Sequence, residues 1–498
     1  MPGRLAEQVG RSPRPAALSS ASVARIVVIG AGFSGLATAI WLADFGHDVV
    51  VYEQLDRVGG RLRSLGPQNR PIKLAPDLIT LPAVLRDLFG KTGRPLAKVV
   101  DLVPVEPAFR YRFGDGTQLD LPNAGRAGVT RALDSTFGDG AGAAWQEVIG
   151  YGAKVWSAVR PALLTATPTT RQRTQLRTSR QLRRALGLDE TLRSFGERRL
   201  PGQLRAILEH RAAGADPRTA PAGVAAIAYV QQTFGRWQVA GGMSTLVQAL
   251  HDRAVERRAT ITTGVAVSAV HITKGQATGV RLATGQDVGA DIVISAVDAA
   301  HLIGDLLPPR ALRLPDTTPS PGLFSLTLAV DPAVTSLPAH TVLLSPRPDD
   351  ALDAIHRTGT LPAQPTIDIY TAPDGAALTV TALVPSHGDG VPGTVDWTAP
   401  GLSAEFADHL RNEMAAHGVA PRVIAETVHT PADAARQTNT VGGAAFGPAT
   451  TGVRAVLARV NRTKVRGLFL VGSSAYPGPG VPLVGLSAAM VADLIGRA

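Results

Sequence analysis

Three glycines near the start of the chain have the spacing of a phosphate-binding turn. Gly30, Gly32 and Gly35 form the pattern Gly-x-Gly-x-x-Gly between a β-branched run over residues 25–29 and an apolar stretch over residues 36–45. With a strand before and a helix after, such glycines allow a tight turn, a close approach of pyrophosphate to the backbone, and close helix–strand packing. Amides at the helix start then face the phosphates, whose negative charge the helix dipole favours.

An acidic residue, Glu53, follows the second predicted strand, which covers residues 48–52. In a β–α–β unit of this kind, an acid at this distance from the glycines binds the ribose hydroxyls. The same carboxylate repels a 2′-phosphate, which disfavours NADP. We therefore predict a dinucleotide site that includes Phe33 and Ser34 between the glycines. A structural turn without a ligand is the alternative.

A second glycine pair lies six residues beyond Glu53. Gly59 and Gly60 precede Arg61 in the run DRVGGR, and the pair lets the chain pass close to a pyrophosphate that Arg61 can neutralise. The segments IGAGFSGL and DRVGGR, with Glu53 between them, resemble the opening of the amine-oxidase-like flavoprotein superfamily. That resemblance implies FAD as the dinucleotide. The chain has no cysteine, so a cysteinyl flavin link is excluded and we expect non-covalent FAD.

Four further stretches occur in order along the chain: residues 73–82, 102–116, 234–250 and 467–484. They resemble the motifs of bacterial phytoene-desaturase-type enzymes, within the carotenoid desaturase and isomerase group. The resemblance implies dehydrogenation of a long apolar isoprenoid polyene such as phytoene. By the same resemblance, a hydride would pass to flavin N5 and a proton would leave the neighbouring carbon. Two positions depart from the family, since Tyr476 stands in place of a common His and Ala75 in place of a Gly, both where the family has the flavin–substrate junction.

The C-terminal stretch also has a physical interpretation of its own. A strand is predicted to end at Gly472, and residues 481–484 lead into the last helix. A helix N-terminus aimed at the flavin pyrimidine ring would stabilise the negative charge of reduced flavin, whereas a buried crossover without a ligand is the alternative. The candidate cofactor-binding residues in this part of the prediction are Gly472, Ser473, Val481 and Pro482, together with Val267. Tyr476 is expected to shape the end of the substrate tunnel beside the flavin, and no residue is assigned as a general base.

The length of 498 residues, with 45% hydrophobic and 18% charged residues, predicts two joined domains with a large core. The predicted fold class is α/β, with a Rossmann-type (GR2-like) FAD-binding domain formed by residues 24–75, 236–300 and 460–498. A mixed α+β substrate domain, residues 76–235 and 301–459, interrupts it, and residues 1–22 are expected to be a disordered leader. Residues 72–236 have a mostly helical pattern. Strands are predicted at 261–263, 266–272, 279–283, 291–296, 323–330, 378–384 and 467–472, and helices near 403–417 and 485–495.

Composition and charge exclude several classes of protein. Without cysteine there are no disulfides, cysteine nucleophiles or iron–sulfur clusters, and the eleven scattered histidines predict no metal site. Residues 27–45 are nearly uncharged, but their glycines indicate a strand–turn–helix and not a membrane span. The basic run 171–199 has almost no aromatic residues for base stacking, so nucleic acid is not an expected partner. We interpret the run as a solvated helical face or a membrane contact, and expect a cytoplasmic, peripherally membrane-associated protein.

Other members of the superfamily stay open as alternatives: a polyene isomerase, an amine oxidase or a protoporphyrinogen oxidase. Amine oxidation uses an aromatic pair beside the flavin, and the aromatic content of 5% disfavours it. A non-catalytic prenyl-binding escort protein would share the fold without needing a complete phosphate loop. Gly30, Gly32, Gly35 and Glu53 are all present here, which favours the enzyme.

Overall fold

The computed structural model describes residues 22–65, 72–73, 78–164, 166–212, 214–313, 319–332, 337–388, 390–447 and 459–498. Residues 1–21 of the expected leader, and Ala75, lie outside the described residues.

The strands and helices are numbered here in chain order. The strands are β1 (Arg25–Ile29), β2 (Asp48–Tyr52), β3 (Ser64–Leu65), β4 (Ile72–Lys73), β5 (Leu78–Thr80), β6 (Leu102–Pro104), β7 (Phe109–Arg112), β8 (Gln118–Leu121), β9 (Arg236–Val239), β10 (Thr260–Thr262), β11 (Val267–Thr273), β12 (Gln276–Leu282), β13 (Asp287–Gly289), β14 (Ile292–Ser295), β15 (Gly322–Val330), β16 (His340–Leu343), β17 (Ile367–Thr371), β18 (Ala377–Val384), β19 (Val423–His429) and β20 (Leu468–Leu470). The helices are α1 (Phe33–Asp44), α2 (Ala83–Lys91), α3 (Arg126–Phe137), α4 (Ala141–Leu163), α5 (Thr170–Thr178), α6 (Arg180–Ala185), α7 (Leu192–Glu197), α8 (Gly202–His210), α9 (Ala226–Phe234), α10 (Met243–Glu256), α11 (Ala299–His301), α12 (Pro348–Asp353), α13 (Leu402–Ala416), α14 (Pro431–Thr438) and α15 (Val481–Ile495).

A five-stranded parallel sheet carries the glycine turn. Its strand order is β10–β2–β1–β14–β20, and every neighbouring pair is parallel. The central strand β1 is buried from Ile26 to Ile29, which explains its uninterrupted Ile and Val run. Helices α1 and α15 pack against each other in the core of this sheet. In open α/β sheets ligands bind beyond the carboxyl ends of the strands, and here the glycine turn follows β1 at that edge.

A second sheet of seven strands has the order β19–β15–β18–β17–β16–β7–β8. Its pairs are antiparallel except for β16 with β7. One of its cores is aromatic, with Phe324 packed edge-on against Phe406 and beside Trp397. Helices α3, α4 and α7 to α9 contribute, with β7 and β8, to a separate core at the other end of the sheet.

The interval 72–236, expected to be mostly helical, also contains the hairpin β7–β8. On β7, Phe109 and Tyr111 are buried while Arg110 and Arg112 are partly exposed. This alternation is typical of a strand with one buried face. The hairpin is not predicted from the sequence because each of its strands is only four residues long. The last helix begins at Val481 and not near residue 485, because Pro482 suits the first turn of a helix.

A buried polar network joins the small sheet β5–β9–β6 to the seven-stranded sheet. The Asp368 carboxylate accepts hydrogen bonds from Nε2 of His340 (2.7 Å) and Nε2 of His210 (3.0 Å). The Arg236 guanidinium donates to Nδ1 of His340 and lies over the ring of Phe109. Burial, and then the Arg236 charge, lower the pKa of His340 to about 3. The neutral imidazole therefore uses both of its nitrogens, one as acceptor and one as donor.

Candidate functional site

The first and third glycines of the turn are required by the fold itself. Gly30 has a φ of +97°, and its amide donates to the Tyr52 carbonyl at 2.8 Å. A Cβ on Gly35 would lie 1.9 Å from the Gly30 carbonyl oxygen, far inside contact distance. Both positions therefore exclude side chains whether or not a ligand is bound.

The fold alone does not require a glycine at the middle position, Gly32. Its φ of −71° is open to any residue, and a Cβ there would meet only the Gly60 Cα at 3.7 Å. Helix α1 begins at the next residue, with no cap from any described side chain and no acid in its first turn. The amides of Phe33, Ser34 and Gly35 are thus donors for an anion, and a Gly32 side chain would fill the approach to them. This arrangement fits a pyrophosphate.

The second glycine pair lies directly against the first motif. The Gly59 amide donates to the Ala31 carbonyl at 2.9 Å, and Gly59 pairs with Gly32 in a parallel bridge. A Cβ on Gly60 would stand 3.0 Å from the Gly32 Cα. Gly59 and Gly60 also have φ values of +114° and +54°, which favour glycine. The two predicted glycine motifs therefore form one continuous backbone surface.

Glu53 is buried at the carboxyl end of β2 and holds the turn. Its Oε2 accepts from the Ala31 amide at 2.7 Å, and its Oε1 accepts from the Leu55 amide at 3.1 Å. A carboxylate has about four lone-pair sites, so two remain for ribose hydroxyls. Its position fits the ribose role predicted for it.

Arg61, expected to face the pyrophosphate, has its guanidinium directed elsewhere. It donates to the carbonyls of Ala444 (2.6 Å) and Ala445 (2.5 Å) and to the Thr440 hydroxyl (3.0 Å). Burial lowers the pKa of Arg61, and the nearby Asp298 carboxylate opposes that change. Arg61 therefore connects the glycine pair to residues 440–445.

The C-terminal loop lies over the start of α1. A Cβ on Gly472, whose φ is +104°, would stand 3.1 Å from the Ser34 hydroxyl. Ser473 is next to Gly447, where an added Cβ would stand 3.3 Å from the Ser473 carbonyl oxygen. At the other end of the loop, α15 packs on the ring of Phe33. A Cβ added to Gly485 of this helix would stand 3.5 Å from that ring. The structure thus brings Gly472 and the last helix to the start of α1, whereas Ser473 lies beside Gly447, Val481 packs against the core and Pro482 lines a cavity.

Val267 is placed differently from the other candidates. It begins β11, and its side chain belongs to an apolar core that includes Ile29 and Val280. Its side chain is therefore part of the packing beneath the parallel sheet and not of the backbone surface formed by the glycines.

A cavity of about 1260 Å³ adjoins the C-terminal loop. Its wall is mainly apolar and includes Trp156 from α4, Ile227 and Val230 from α9, and Tyr476 and Pro482 from the loop. Pockets that bind drug-sized ligands measure roughly 300–1,000 Å³, so this volume suits a longer molecule. The loop is therefore shared between the cavity and the glycine turn.

Tyr476 lies in the wall of the cavity and is only 2% exposed. Burial raises the pKa of Tyr476 well above its usual value, with Arg173 acting in the opposite direction. Its hydroxyl is therefore protonated at neutral pH and can exchange hydrogen bonds but not carry charge.

Most of the cavity wall was not predicted from the sequence. The apolar face of α9 is visible as a helical pattern, but whether such a face packs in a core or lines a cavity depends on distant segments. Arg459 has no local motif, yet it lies in the same wall as Tyr476.

In the described ranges, no group of three or more His, Asp or Glu side chains could hold a metal ion. Among the helices of those same ranges, none is both long and apolar enough to cross a bilayer.

Comparison with known proteins places the chain among flavoproteins. The family described as flavin containing amine oxidoreductase matches residues 33–495. Hydroxyneurosporene desaturase of Cereibacter sphaeroides is 30% identical, with 95% of this chain and 99% of that protein covered. The 4,4'-diapolycopene oxygenase of a Methylomonas species is 29% identical, with 95% and 98% covered. Phytoene desaturase (lycopene-forming) of Pseudescherichia vulneris is 27% identical, with 95% and 99% covered.

Solved structures agree on the fold. An oxidoreductase from Methanosarcina mazei superposes with a TM-score of 0.61 at 19% identity, covering 94% of this chain and 99% of that one. Cyclohexylamine oxidase from Brevibacterium oxydans gives 0.59 at 16% identity, with 95% and 99% covered. The α/β fold class, the FAD cofactor and the resemblance to phytoene-desaturase-type proteins are thereby confirmed. The chain belongs to the flavin containing amine oxidoreductase family and is an FAD-dependent oxidoreductase.

Proposed function

We propose that the protein dehydrogenates CH–CH bonds of a long, apolar isoprenoid polyene such as phytoene or a related carotenoid. The observation that carries the proposal is the apolar cavity of about 1260 Å³ that ends at the loop shared with the glycine turn. The names of three relatives, two desaturases and an oxygenase of polyenes, support the same substrate class.

In this proposal the glycine turn holds the cofactor. The amides of Phe33, Ser34 and Gly35 bind the pyrophosphate, and Glu53 binds the ribose. Residues 24–75, 236–300 and 460–498 would form the FAD-binding domain, and residues 76–235 and 301–459 would form the substrate domain. FAD, when bound, supplies a hydride acceptor at flavin N5.

The cavity wall binds and orients the polyene. Each Å² of apolar surface removed from water contributes about 25 cal/mol, so a long hydrocarbon binds without directed contacts. A polyene held against this wall has fewer orientations open to it, which lowers the entropic part of the barrier. Trp156, Ile227 and Val230 line this apolar wall.

Blocking the cavity tests this role. Ile227→Trp adds bulk to the lining, whereas Val255→Trp places the same ring on an exposed part of α10, where the native side chain is 51% exposed. We expect the first variant to retain FAD but lose conversion of a C40 polyene, and the second to behave as the native protein. Equal conversion by both would contradict the assignment of the cavity to the substrate.

We also propose peripheral membrane contact through α5 and α6, because a polyene dissolves in the bilayer. Arg171, Arg180 and Arg184 are exposed there, and Leu186, just beyond α6, lines the cavity. Near an anionic surface each arginine contributes about 1 kcal/mol.

Flotation with vesicles tests the membrane contact. Binding should be stronger to anionic than to zwitterionic vesicles, weaken in high salt, and fall when Arg171, Arg180 and Arg184 are changed to Gln. Changing the exposed Arg126 and Arg131 on α3 instead should leave binding to the anionic vesicles unchanged. Equal binding to both lipids would contradict the electrostatic part of the proposal.

A further inference from the structure

Two exposed arginines on α6, Arg180 and Arg184, differ from several arginines near them in the chain. The others form ion pairs with acidic side chains: Arg183–Asp189, Arg193–Glu209, Arg198–Glu190, Arg205–Glu197 and Arg218–Asp216. Among the described residues, neither Arg180 nor Arg184 has an acidic partner. The two lie four residues apart on one face of the helix, where like charges repel each other. An anion bound between them would remove this repulsion.

Both arginines line a surface pocket of about 460 Å³, called here the arginine pocket. Thr178, Arg183 and Asp189 complete its lining. Asp189 is the one carboxylate among these lining residues, and it accepts from Nε of Arg183 at 2.8 Å. Three guanidinium groups and one carboxylate leave the lining with an excess of two positive charges. The arginine pocket therefore favours an anionic ligand.

The chemistry of the arginine pocket fits a phosphate group. A guanidinium presents its N–H donors in a planar fork that matches two phosphate oxygens at once. A phosphate monoester has three acceptor oxygens and can bond to both Arg180 and Arg184, whereas a carboxylate has only two oxygens to share. None of the lining residues is aromatic, which disfavours the base of a nucleotide.

A short turn joins the arginine pocket to the apolar cavity. Leu186 and Leu188, which follow the pocket residue Arg184 in the chain, line that cavity. The Leu188 amide donates to the Arg183 carbonyl at 2.9 Å, and the Gly187 amide donates to the Arg184 carbonyl at 3.1 Å. A ligand held in the arginine pocket therefore lies a few residues from the wall of the cavity.

We propose that the arginine pocket binds the phosphate group of an anionic phospholipid and so holds this side of the cavity against the bilayer. The inference rests on the proposed membrane contact, and it replaces a general attraction between charges with one site and one ligand. A lipid phosphate supplies the anion that Arg180 and Arg184 lack within the described residues. It also brings the bilayer, in which a polyene dissolves, to the segment that lines the cavity.

Flotation of the FAD-loaded protein with two sets of vesicles of equal surface charge tests the inference. Both sets contain phosphatidylcholine, with phosphatidic acid as the anionic lipid in one and cholesteryl hemisuccinate, which has a carboxylate and no phosphate, in the other. We expect about tenfold or more stronger binding to phosphatidic acid, the scale of one charge-assisted hydrogen bond. The double variant Arg180→Lys/Arg184→Lys keeps the charge but loses the planar forks, and should bind both sets equally. The matched control Arg126→Lys/Arg131→Lys changes two exposed arginines on α3 and should keep the preference.

The outcomes separate this inference from the proposed function. Equal binding of the native protein to both sets of anionic vesicles overturns the inference and leaves the electrostatic membrane contact intact, whereas no binding to either set contradicts the membrane contact itself. A preference for phosphatidic acid that persists in the lysine variant also overturns the inference. The comparison on the native protein does not depend on the folding of any variant.

Calorimetric titration without vesicles separates a lipid from free phosphate as the source of the anion. The two ligands are dihexanoyl phosphatidic acid and inorganic phosphate. We expect the lipid to bind about tenfold or more tightly, because its glycerol backbone occupies further space in the arginine pocket, and the lysine variant to lose this binding. Equal affinity of the native protein for both ligands would assign the pocket to free phosphate and overturn the inference.

Discussion

Replacing Gly32 by alanine separates the demands of the fold from those of the cofactor. Gly32 has an ordinary φ of −71°, and the added Cβ would meet only the Gly60 Cα, at 3.7 Å. Gly35→Ala is the matched control, because its Cβ would lie 1.9 Å from the Gly30 carbonyl oxygen. The two variants add the same methyl group three residues apart.

Gly32→Ala should have a small effect on stability and a large effect on the affinity for FAD. In the FAD-free protein, Gly32→Ala should change the free energy of unfolding by less than about 1 kcal/mol, because reduced freedom of the unfolded chain offsets a poorer N-cap. The methyl group would displace the pyrophosphate from the amides of Phe33 and Ser34. Two lost charge-assisted hydrogen bonds amount to about 3 kcal/mol or more, so the Kd for FAD should rise at least about 100-fold.

Two measurements on each variant give the result. Urea unfolding of the FAD-free protein gives the stability, and titration with FAD followed by flavin fluorescence gives the Kd. Gly35→Ala should lose stability even without FAD, whereas Gly32→Ala should lose only affinity. An unchanged Kd for Gly32→Ala, or a loss of stability equal to that of Gly35→Ala, would refute the reasoning.

Three other predictions concern single side chains. Tyr476→Phe removes one hydroxyl and should leave turnover within about tenfold, or roughly 1.4 kcal/mol of barrier, whereas a thousandfold loss with FAD still bound would show that the hydroxyl takes part in the chemistry. Arg61→Met leaves the Ala444 carbonyl without its donor, so urea unfolding should show a loss of stability of about 1–3 kcal/mol. This loss should exceed the loss of FAD binding free energy. A larger loss of FAD binding than of stability would assign Arg61 to the pyrophosphate. His340 has a folded pKa of about 3 against an unfolded value of 6.5, so only the unfolded chain binds its proton between those values. The contribution of His340 to the free energy of unfolding is therefore complete above pH 6.5 and falls with decreasing pH by up to about 1.4 kcal/mol per pH unit. In urea unfolding between pH 7 and 5, His340→Gln should therefore lose stability less steeply than the native protein. An unchanged slope would contradict a neutral His340.

The parts of the fold that the sequence predicts well are those with local signals. The buried β1, the glycines and the start of α1 follow one another within about a dozen residues, and each has a strong composition signal. The position of Glu53 directly after β2 also follows from the sequence. The hairpin β7–β8 was missed because its strands are four residues long and lie in a helical stretch.

Contacts of individual side chains with distant segments were beyond prediction from the sequence. Arg61 was expected at the pyrophosphate because it follows Gly60, but its acceptors are more than 370 residues away along the chain. The same applies to the cavity, whose wall combines side chains from Trp156 to Pro482. No local pattern reveals that Arg459 shares this wall.

Anaerobic mixing of the FAD-loaded protein with a C40 polyene tests the proposed function most directly. The proposal predicts that the visible absorption of the flavin bleaches while the polyene spectrum shifts to longer wavelength, in equal molar amounts, and that Ile227→Trp abolishes both changes. Flavin that stays oxidised in the presence of bound polyene, yet is reduced by a primary amine, would contradict polyene dehydrogenation and favour amine oxidation.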